Sequence, residues 1–296
     1  MVKKTCVGLI GVGLLGTAIA KRLLQNETRV IGFDTDPARR ERLAALGGTS
    51  LSDAAEVFTQ CDVVLLSLPT SQVVRKLVAD NVQSISANST IVDTTTGSPE
   101  DVIETGRFLA KQRVHYMEAT IAGSSKQVRS GAGAMFIGGE KAVVLQCESL
   151  LSSILEKHFY VGPVGSASRF KLVHNLLLGL HRAVLAEGLV FAEALGFDPA
   201  TALEILQQTP AASGVMPTKG PKMLERNYAA QARLSQHLKD VRLILEESRR
   251  VGTRAPLSEL HQSLLEQAEQ LGFGSADNCA VIEVFRHRDA GDEHSC

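Results

Sequence analysis

Three glycines near the N-terminus constrain the fold of this 296-residue chain more than any other feature. They follow an apolar segment, residues 5–10, that predicts a buried strand, and a helical pattern continues from them to residue 24. In such a strand-turn-helix unit the glycines allow a tight turn, a close approach of a pyrophosphate, and close packing of the helix on the strand. The diphosphate lies on the N–H groups that begin the helix. We therefore expect a dinucleotide to contact Gly11, Gly13, Leu14, Leu15 and Gly16.

The second predicted strand, Arg29 to Phe33, ends at Asp34, about where a ribose-binding carboxylate belongs. An aspartate there accepts hydrogen bonds from the ribose 2′-hydroxyl and repels a 2′-phosphate. Arg39 and Arg40 act against this argument because they could pair with a phosphate, although a solvated face on the helix that begins near Pro37 also explains them. The expected cofactor is NAD, with NADP less favoured.

Strand-like and helix-like segments keep alternating after this point, which predicts a doubly wound parallel α/β sheet. The next predicted strands are residues 62–68, 90–93 and 115–119. Ligands bind at the carboxyl edge of such a sheet, so Leu68, Pro69 and Thr96 are expected cofactor contacts. Helix capping by the neighbouring hydroxyl groups is an equally compatible role.

Small residues follow the last of these strands. Ala122, Gly123 and Ser124 expose backbone N–H groups, and such a turn can hold the carboxylate of an acidic substrate. A tight connection between elements would explain the same residues. The glycine-rich segment 130–139 has the composition of a hairpin.

The segment from Gly162 to Gly196 predicts one long helix, entered through Gly162, Pro163 and Gly165, capped by Ser166 and stopped by Gly196. Its length of roughly 45 Å exceeds what one small domain needs from a surface helix, so it is expected to belong to two domains. We predict an NAD(P)-binding Rossmann domain at residues 1–163 and an all-helical substrate and oligomerisation domain at residues 164–296.

Two polar residues interrupt the apolar pattern of this helix. Lys171 and Asn175 are four residues apart and share one face, with His174 beside Asn175. The lysine could extend its amine to solvent beside a satisfied core amide, or the pair could carry chemistry. The sequence around them decides between these interpretations.

The second half of the chain predicts further amphipathic helices, at about 199–208, 231–251, 256–271 and 276–286. The proline- and glycine-rich segment 209–221 is predicted to be a loop and, from its position, a lid. The polar tail, residues 287–296, is expected to fray.

Composition excludes several classes of function. With 31 basic and 32 acidic residues the net charge is −1, which gives no broad attraction for nucleic acid or anionic membranes. Five scattered cysteines without a C-x-x-C pair indicate a reducing, cytoplasmic compartment and no cysteine-built metal site. The apolar N-terminus resembles a secretory signal, but its four glycines fit a cofactor turn better. No segment predicts a transmembrane helix, because even the long central helix carries Lys171, His174, Arg182 and Glu187.

Several ordered motifs together resemble the β-hydroxyacid dehydrogenase family, which includes 3-hydroxyisobutyrate dehydrogenase and tartronate semialdehyde reductase and is related to 6-phosphogluconate dehydrogenase. The resemblance covers nearly the whole chain. The motifs are GVGLLGTAIA at 11–20, LPTS at 68–71, DTTTGSP at 93–99, EATIAGS at 118–124, GAMFIGG at 133–139, GPVGSASRFKLVHN at 162–175, LKD at 238–240 and GFGSAD at 272–277.

The resemblance implies roles for residues that matching motifs share. It makes Lys171 the catalytic acid or base and Asn175 the residue that orients the reacting oxygen. It assigns the substrate carboxylate to residues 122–124, and places Thr96 by the nicotinamide and Lys239 at the mouth of the cofactor and substrate site. It also implies a small hydroxy-acid substrate, hydride transfer, and a homodimer or homotetramer.

Two departures bear on the substrate. Where the family usually has Ser-Gly-Gly, this chain has Ala122-Gly123-Ser124, so one hydroxyl donor is missing or has moved. The sequence KLVHN resembles the 6-phosphogluconate dehydrogenase version, in which the residue matching His174 touches substrate. That enzyme has an acidic residue seven positions after the lysine to protonate the product of decarboxylation, whereas this chain has Leu178. We expect oxidation or reduction without loss of carbon dioxide. An imine reductase of the same architecture and a non-catalytic NAD(P)-binding sensor remain alternatives.

Overall fold

The computed structural model describes residues 6–287. The chain divides into two compact units, one ending at Lys171 and the other beginning at Leu172. The division falls inside the long helix. The domain boundary expected after residue 163 stays a prediction.

In the described part of the first unit, eight strands form one sheet in the order β3-β2-β1-β4-β5-β6-β7-β8. Every neighbouring pair is parallel except β6 and β7, which run antiparallel. The strands are β1 (Cys6–Ile10), β2 (Arg29–Phe33), β3 (Thr49–Ser50), β4 (Val63–Leu66), β5 (Thr90–Asp93), β6 (His115–Ala122), β7 (Ala134–Gly138) and β8 (His158–Gly162).

Helices cover both faces of this sheet. Eight of them in the described residues precede the long helix: α1 (Leu14–Gln25), α2 (Pro37–Ala45), α3 (Ala54–Gln60), α4 (Ser71–Asp80), α5 (Pro99–Lys111), α6 (Ser125–Arg129), α7 (Lys141–Gln146) and α8 (Glu148–Ile154). Two apolar clusters fill the unit, one including Leu9, Ile19 and Met117, the other including Phe58, Leu66 and Leu109. Parallel strands that are buried on both faces need apolar residues at successive positions, which explains the continuous Val, Ile and Leu runs of β1 and β4. The predicted doubly wound α/β fold is confirmed.

The long helix is α9 (Ser166–Ala194), and the second unit adds α10 (Pro199–Leu206), α11 (Met216–Leu224), α12 (Leu234–Arg250), α13 (Pro256–Ala268) and α14 (Ile282–Arg286). Its core includes Leu189, Met223, Leu238 and Leu265. Gly196 has a φ of 86°, the left-handed conformation expected of a helix stop. The predicted all-helical C-terminal half is confirmed for the described residues.

Several sequence-based details are wrong. Ser166 is the first residue inside α9 and not its cap. Residues 209–221 are not a loop throughout, because α11 begins at Met216 with proline in its first turn, a position that needs no N–H donor. Strand β6 continues through Ala122, and the short helices α6, α7 and α8 were not predicted. The predicted tail lies outside the described residues, apart from His287.

By length and composition alone, α9 could cross a membrane. Its most apolar window has a mean hydropathy of 1.3, and 39% of that window is buried. Core helices of soluble proteins meet the same criteria, so the finding is weak. Two cationic side chains of α9, Lys171 and Arg182, are buried, at 7% and 4% exposure.

Candidate active site

The turn after β1 has the shape that a dinucleotide requires. Gly11 has a φ of 95°, and a side chain there would lie 2.3 Å from the carbonyl oxygen of Ser67. A side chain at Gly16 would lie 2.0 Å from the carbonyl oxygen of Gly11. At Gly13, by contrast, a Cβ would meet nothing closer than Arg39 Nη1 at 3.8 Å, so the second glycine borders open space. This open space adjoins the start of α1, which has no side-chain cap, and dinucleotide-binding folds hold a diphosphate at a helix start of this kind.

Asp34 ties this turn to the second strand. Its Oδ2 accepts a hydrogen bond from the N–H of Val12 at 2.7 Å, and its Oδ1 accepts one from the N–H of Asp36 at 3.0 Å. Arg39 Nη1 lies 3.5 Å from Oδ2 and remains 45% exposed, while Arg40 donates to the carbonyl oxygen of Asp34 at 2.7 Å. The carboxylate is thus held at the end of β2, beside the glycine turn. Arg40, which donates to the backbone, thereby holds the loop that leads into α2.

The loops after β4 and β5 meet because these strands are parallel neighbours. The N–H of Leu68 donates to Oγ1 of Thr95 at 3.2 Å, and the N–H of Thr95 donates to Asp93 Oδ1 at 2.8 Å. Pro69 is exposed and Thr96 is half-buried beside them. The predicted contacts therefore stand at the same sheet edge as Gly11. Thr95, which sequence reasoning missed, joins the two loops, and its place in the Thr94-Thr95-Thr96 run was the only signal.

The turn after β6 is organised by a capping box. Ser124 Oγ accepts from the N–H of Gln127 at 3.3 Å, and the N–H of Ser124 donates to Gln127 Oε1 at 2.8 Å. Gln127 therefore occupies one of the two N–H groups predicted to hold a carboxylate. Ala122 is the last residue of β6, paired with Ala134, and Gly123 approaches the Gly133 backbone so closely that a Cβ would lie 3.2 Å from it. A carboxylate at Ser124 has to displace Gln127 first.

In the second unit, predicted site residues gather around a carboxylate that sequence reasoning missed. Asn175 Nδ2 donates to Asp240 Oδ2 at 2.9 Å, and Lys239 Nζ lies 3.2 Å from Asp240 Oδ1. His174 Nδ1 lies 3.1 Å from the amide oxygen of Asn175. Asn175 and Asp240 are 6% and 7% exposed. The signal for Asp240 was present, because it completes the LKD motif that singled out Lys239.

Lys171 lies on α9 one turn before Asn175 and is 7% exposed. The described residues contain no group of three or more His, Cys, Asp or Glu side chains arranged to hold a metal ion.

A dinucleotide-binding sheet that leads into a helical unit through a helix with a buried lysine defines a class of NAD(P)-dependent dehydrogenases. Two family models match the chain. The NAD binding domain of 6-phosphogluconate dehydrogenase matches residues 6–162, and the NAD-binding region of NADP-dependent 3-hydroxyisobutyrate dehydrogenase matches residues 165–285. The chain belongs to the β-hydroxyacid dehydrogenase family.

Relatives extend over nearly the whole chain. The 2-(hydroxymethyl)glutarate dehydrogenase of Eubacterium barkeri is 28% identical, with 96% of each chain covered. The L-threonate dehydrogenase of Cupriavidus necator is 27% identical over 94% of this chain and 95% of that one. The structure of Mycobacterium tuberculosis 3-hydroxyisobutyrate dehydrogenase with L-serine has a TM-score of 0.87 at 22% identity, covering 96% of this chain and 99% of that one. The protein is an NAD(P)-dependent hydroxyacid dehydrogenase.

Proposed function

We propose that this dehydrogenase uses NAD in preference to NADP to interconvert a small 3-hydroxy acid, or a related hydroxy acid or sulfonate, with its aldehyde or ketone. The observation that carries the proposal is the pair of buried polar residues on α9, Lys171 and Asn175, one turn apart and backed by Asp240. Burial of polar side chains is costly, and a catalytic role would account for the burial of these two.

The cofactor part of the proposal rests on the glycine turn and Asp34. The open space beside Gly13 accommodates a diphosphate, and the carboxylate of Asp34 suits a ribose 2′-hydroxyl. Leu14, Leu15 and Gly16 would complete the diphosphate site, while Leu68, Pro69, Thr96 and Lys239 would contact the remainder of the cofactor. When bound, the cofactor would supply the hydride acceptor for oxidation of the substrate carbinol carbon and the hydride donor for reduction of the carbonyl carbon.

Lys171 transfers the hydroxyl proton of the substrate. In oxidation its neutral amine accepts the hydroxyl proton, and in reduction its ammonium donates one to the forming alkoxide. Asn175 can hold the same oxygen, since its carboxamide has two N–H donors and Asp240 engages one of them. Together they fix the reacting oxygen beside the amine. Leu178 has no acidic group that could protonate a product of decarboxylation, so no carbon dioxide is lost.

The substrate class is supported by the relatives named for acids that carry hydroxyl groups, 2-(hydroxymethyl)glutarate and L-threonate. Gly123 and Ser124 would bind the carboxylate through their N–H groups, with Ala122 lining the same turn and His174 near the hydroxyl. Since Gln127 Oε1 occupies the Ser124 N–H at 2.8 Å, Gln127→Ala tests this arrangement. A lower KM for the acid is expected, with an unchanged KM for NAD.

Two experiments test the proposal as a whole. Lys171→Ala is expected to reduce turnover by about 10²- to 10⁴-fold, with NAD binding retained and partial rescue by methylamine. Lys76→Ala, which removes an exposed lysine on α4 paired with Asp80, is the matched control and should be fully active. Wild-type turnover by Lys171→Ala would remove the amine from the mechanism.

The second experiment is a panel of 3-hydroxy acids, hydroxysulfonates and polyol acids, each assayed with NAD and with NADP by absorbance of the reduced cofactor. Turnover of one acid class with NAD is expected. Reduction of cyclic imines without hydroxy-acid activity would instead indicate an imine reductase, and cofactor binding without any turnover would indicate a sensor. Either result contradicts the proposed reaction.

We also propose a homodimer or homotetramer in the cytoplasm. Large apolar side chains are exposed in the second unit, including Val184 at 68% and Phe191 and Phe197 at 63%. An apolar surface of this kind suits burial against another copy of the chain. Light scattering of the purified protein tests it, and a monomer at micromolar concentration would contradict it. The described cysteines are all unbridged thiols, as a reducing compartment requires.

A further inference from the structure

The carboxylate of Glu118, on β6, closes the N-terminal end of α9. Its Oε2 accepts a hydrogen bond from the N–H of Gly165 at 2.5 Å. Its Oε1 accepts one from the N–H of Ser168 at 2.8 Å and another from the Ser168 hydroxyl. The first turn of a helix leaves four N–H groups without intrahelical partners. Here the acceptor for the N–H groups at the helix start is Glu118, which precedes Gly165 by 47 residues and Ser168 by 50 residues.

The surrounding chain is shaped to admit this carboxylate. Glu118 is 1% exposed. A side chain at Gly138, on the neighbouring β7, would lie 2.5 Å from Glu118 Oε2, so the glycine leaves the space that the carboxylate fills. Thr120, two residues along β6 and on the same face, donates from Oγ1 to the carbonyl oxygen of Ala167 at 3.4 Å. Two side chains of one strand thus hold the first turn of α9.

Opposing effects act on the pKa of Glu118. Burial raises the pKa of Glu118, and the bonds from Ser168 and Gly165 oppose the rise. Asp93 on β5 is the other carboxylate that acts on it and raises its pKa further, while the Tyr116 hydroxyl donates to Asp93 at 2.7 Å. The positive end of the α9 dipole favours the ionised form. The pKa of Glu118 is raised on balance, and the contacts with the helix start act against that rise.

We propose that Glu118 is a positioning residue for Lys171, fixing the first turn of α9 and thereby the place and proton affinity of the amine; this rests on the proposed function of Lys171. Lys171 follows Ser168 by three residues, which is about one turn of a rigid helix. A shift of the first turn moves the amine with it. A negative charge at the helix start also stabilises an ammonium one turn later.

The test is Glu118→Gln, which keeps the size of the side chain and replaces one acceptor by an NH₂ group that faces a backbone N–H. We expect kcat to fall by about 10- to 100-fold, because small displacements of a catalytic group have effects of that order. The acidic limb of the kcat profile for oxidation should move to lower pH, because the ammonium loses a nearby negative charge. KM for NAD should change little, since the glycine turn and Asp34 do not contact Glu118. Hydrogen exchange of residues 165–171 should become faster.

Asp53→Asn is the matched control. Asp53 is also a carboxylate that accepts a helix N–H in the same unit, from Ala55 at 3.0 Å, but its helix, α3, carries no proposed site residue. A loss of thermal stability is expected, with kcat and its pH profile unchanged. A merely structural role for Glu118 would give the same result for Glu118→Gln, and that outcome would overturn the proposal.

Further variants separate the possible failures. Ser168→Ala keeps the charge and removes one bond, so it should lower kcat less than Glu118→Gln and leave the pH limb in place. Gly138→Ala crowds the carboxylate and should lower kcat without a change in KM for NAD. If Glu118→Gln does not fold, wild-type kcat in both of these folded variants overturns the proposal. Wild-type kcat in Glu118→Gln beside an inactive Lys171→Ala overturns the positioning role alone, whereas an active Lys171→Ala overturns the proposed function as well.

Discussion

The side-chain amide of Asn175 donates to Asp240 Oδ2 at 2.9 Å, and this contact sets which way the amide faces. A carboxylate accepts hydrogen bonds and cannot donate them, so Asp240 requires the Nδ2 side of the amide. The amide oxygen is then the atom that lies 3.1 Å from His174 Nδ1. The second N–H of Asn175 is the one suited to a substrate oxygen.

Removal of Asp240 should therefore impair catalysis through Asn175. For Asp240→Ala we expect kcat to fall by about 10- to 100-fold, because the amide loses the partner that orients it. Steady-state kinetics of Asp240→Ala, Asn175→Ala and the double variant form a cycle. If Asp240 acts through Asn175, the double variant is no slower than Asn175→Ala. Fully additive losses would show that Asp240 acts independently.

Replacement of Asp34 should change the choice of cofactor. In Asp34→Ser the carboxylate that accepts from Val12 at 2.7 Å is lost, and with it the repulsion of a 2′-phosphate. We expect KM for NAD to rise about tenfold, because the free energy of a hydrogen bond to a charged group corresponds to a factor of about that size. KM for NADP should fall. Asp53→Ser, which removes the exposed cap of α3, should leave the ratio unaltered. An unchanged NAD to NADP ratio in Asp34→Ser would contradict the assignment.

Two glycines inside α9 provide opposite tests of packing. A methyl group at Gly179 would lie 2.5 Å from His237 Nε2 and 2.6 Å from His261 Cε1, so Gly179→Ala should destabilise the second unit by about 1–3 kcal/mol. Gly188 has no atom within 4 Å of an added Cβ. Gly188→Ala should stabilise the helix by about 0.5–1 kcal/mol. Urea unfolding of both variants measures the difference, and equal effects would contradict the packing around Gly179.

Stability at mildly acidic pH should depend on His261. Burial and the nearby charge of Arg182 lower the pKa of His261 from 6.5 to about 4. The unfolded chain then binds a proton below about pH 6.5 that the folded protein does not bind, so stability is lost as the pH falls toward 4, by up to about 3 kcal/mol.

Asp93 and Glu118 act with the opposite sign, because burial raises their pKa values and their contribution to stability declines as the pH rises. The informative quantity is therefore the difference between wild type and His261→Gln. That variant should unfold with a weaker pH dependence between pH 6.5 and 4.5, measured by urea titration. Parallel pH curves for the two proteins would contradict the prediction.

Local patterns predicted much of the fold, and distant contacts account for what they missed. The turn at Gly11 and the strand Arg29–Phe33 were predicted because strand, glycine turn and helix are written in consecutive residues. Ser166 was predicted as the cap of α9 from its position in the sequence, but Glu118 on strand β6 accepts the hydrogen bonds at the start of this helix. No local pattern can reveal such a partner.

The candidate site shows the same division. Lys171 and Asn175 were recognisable from their spacing on one helix face, and their catalytic roles remain predictions. Asp240 was missed because its importance depends on a hydrogen bond across 65 residues of sequence. The capping box at Ser124 is local and could have been predicted, since serine followed three residues later by glutamine is its signature.

The antiparallel pairing of β6 with β7 lets the chain leave the sheet after Ala122 and re-enter it at Ala134 on the same rim. The segment between these residues is nevertheless tied to the core, because Val128 on α6 is fully buried in the apolar cluster that contains Leu9 and Ile19. An exchange of residues 123–133 between dehydrogenases of differing acid preference would therefore have to keep an apolar side chain at position 128.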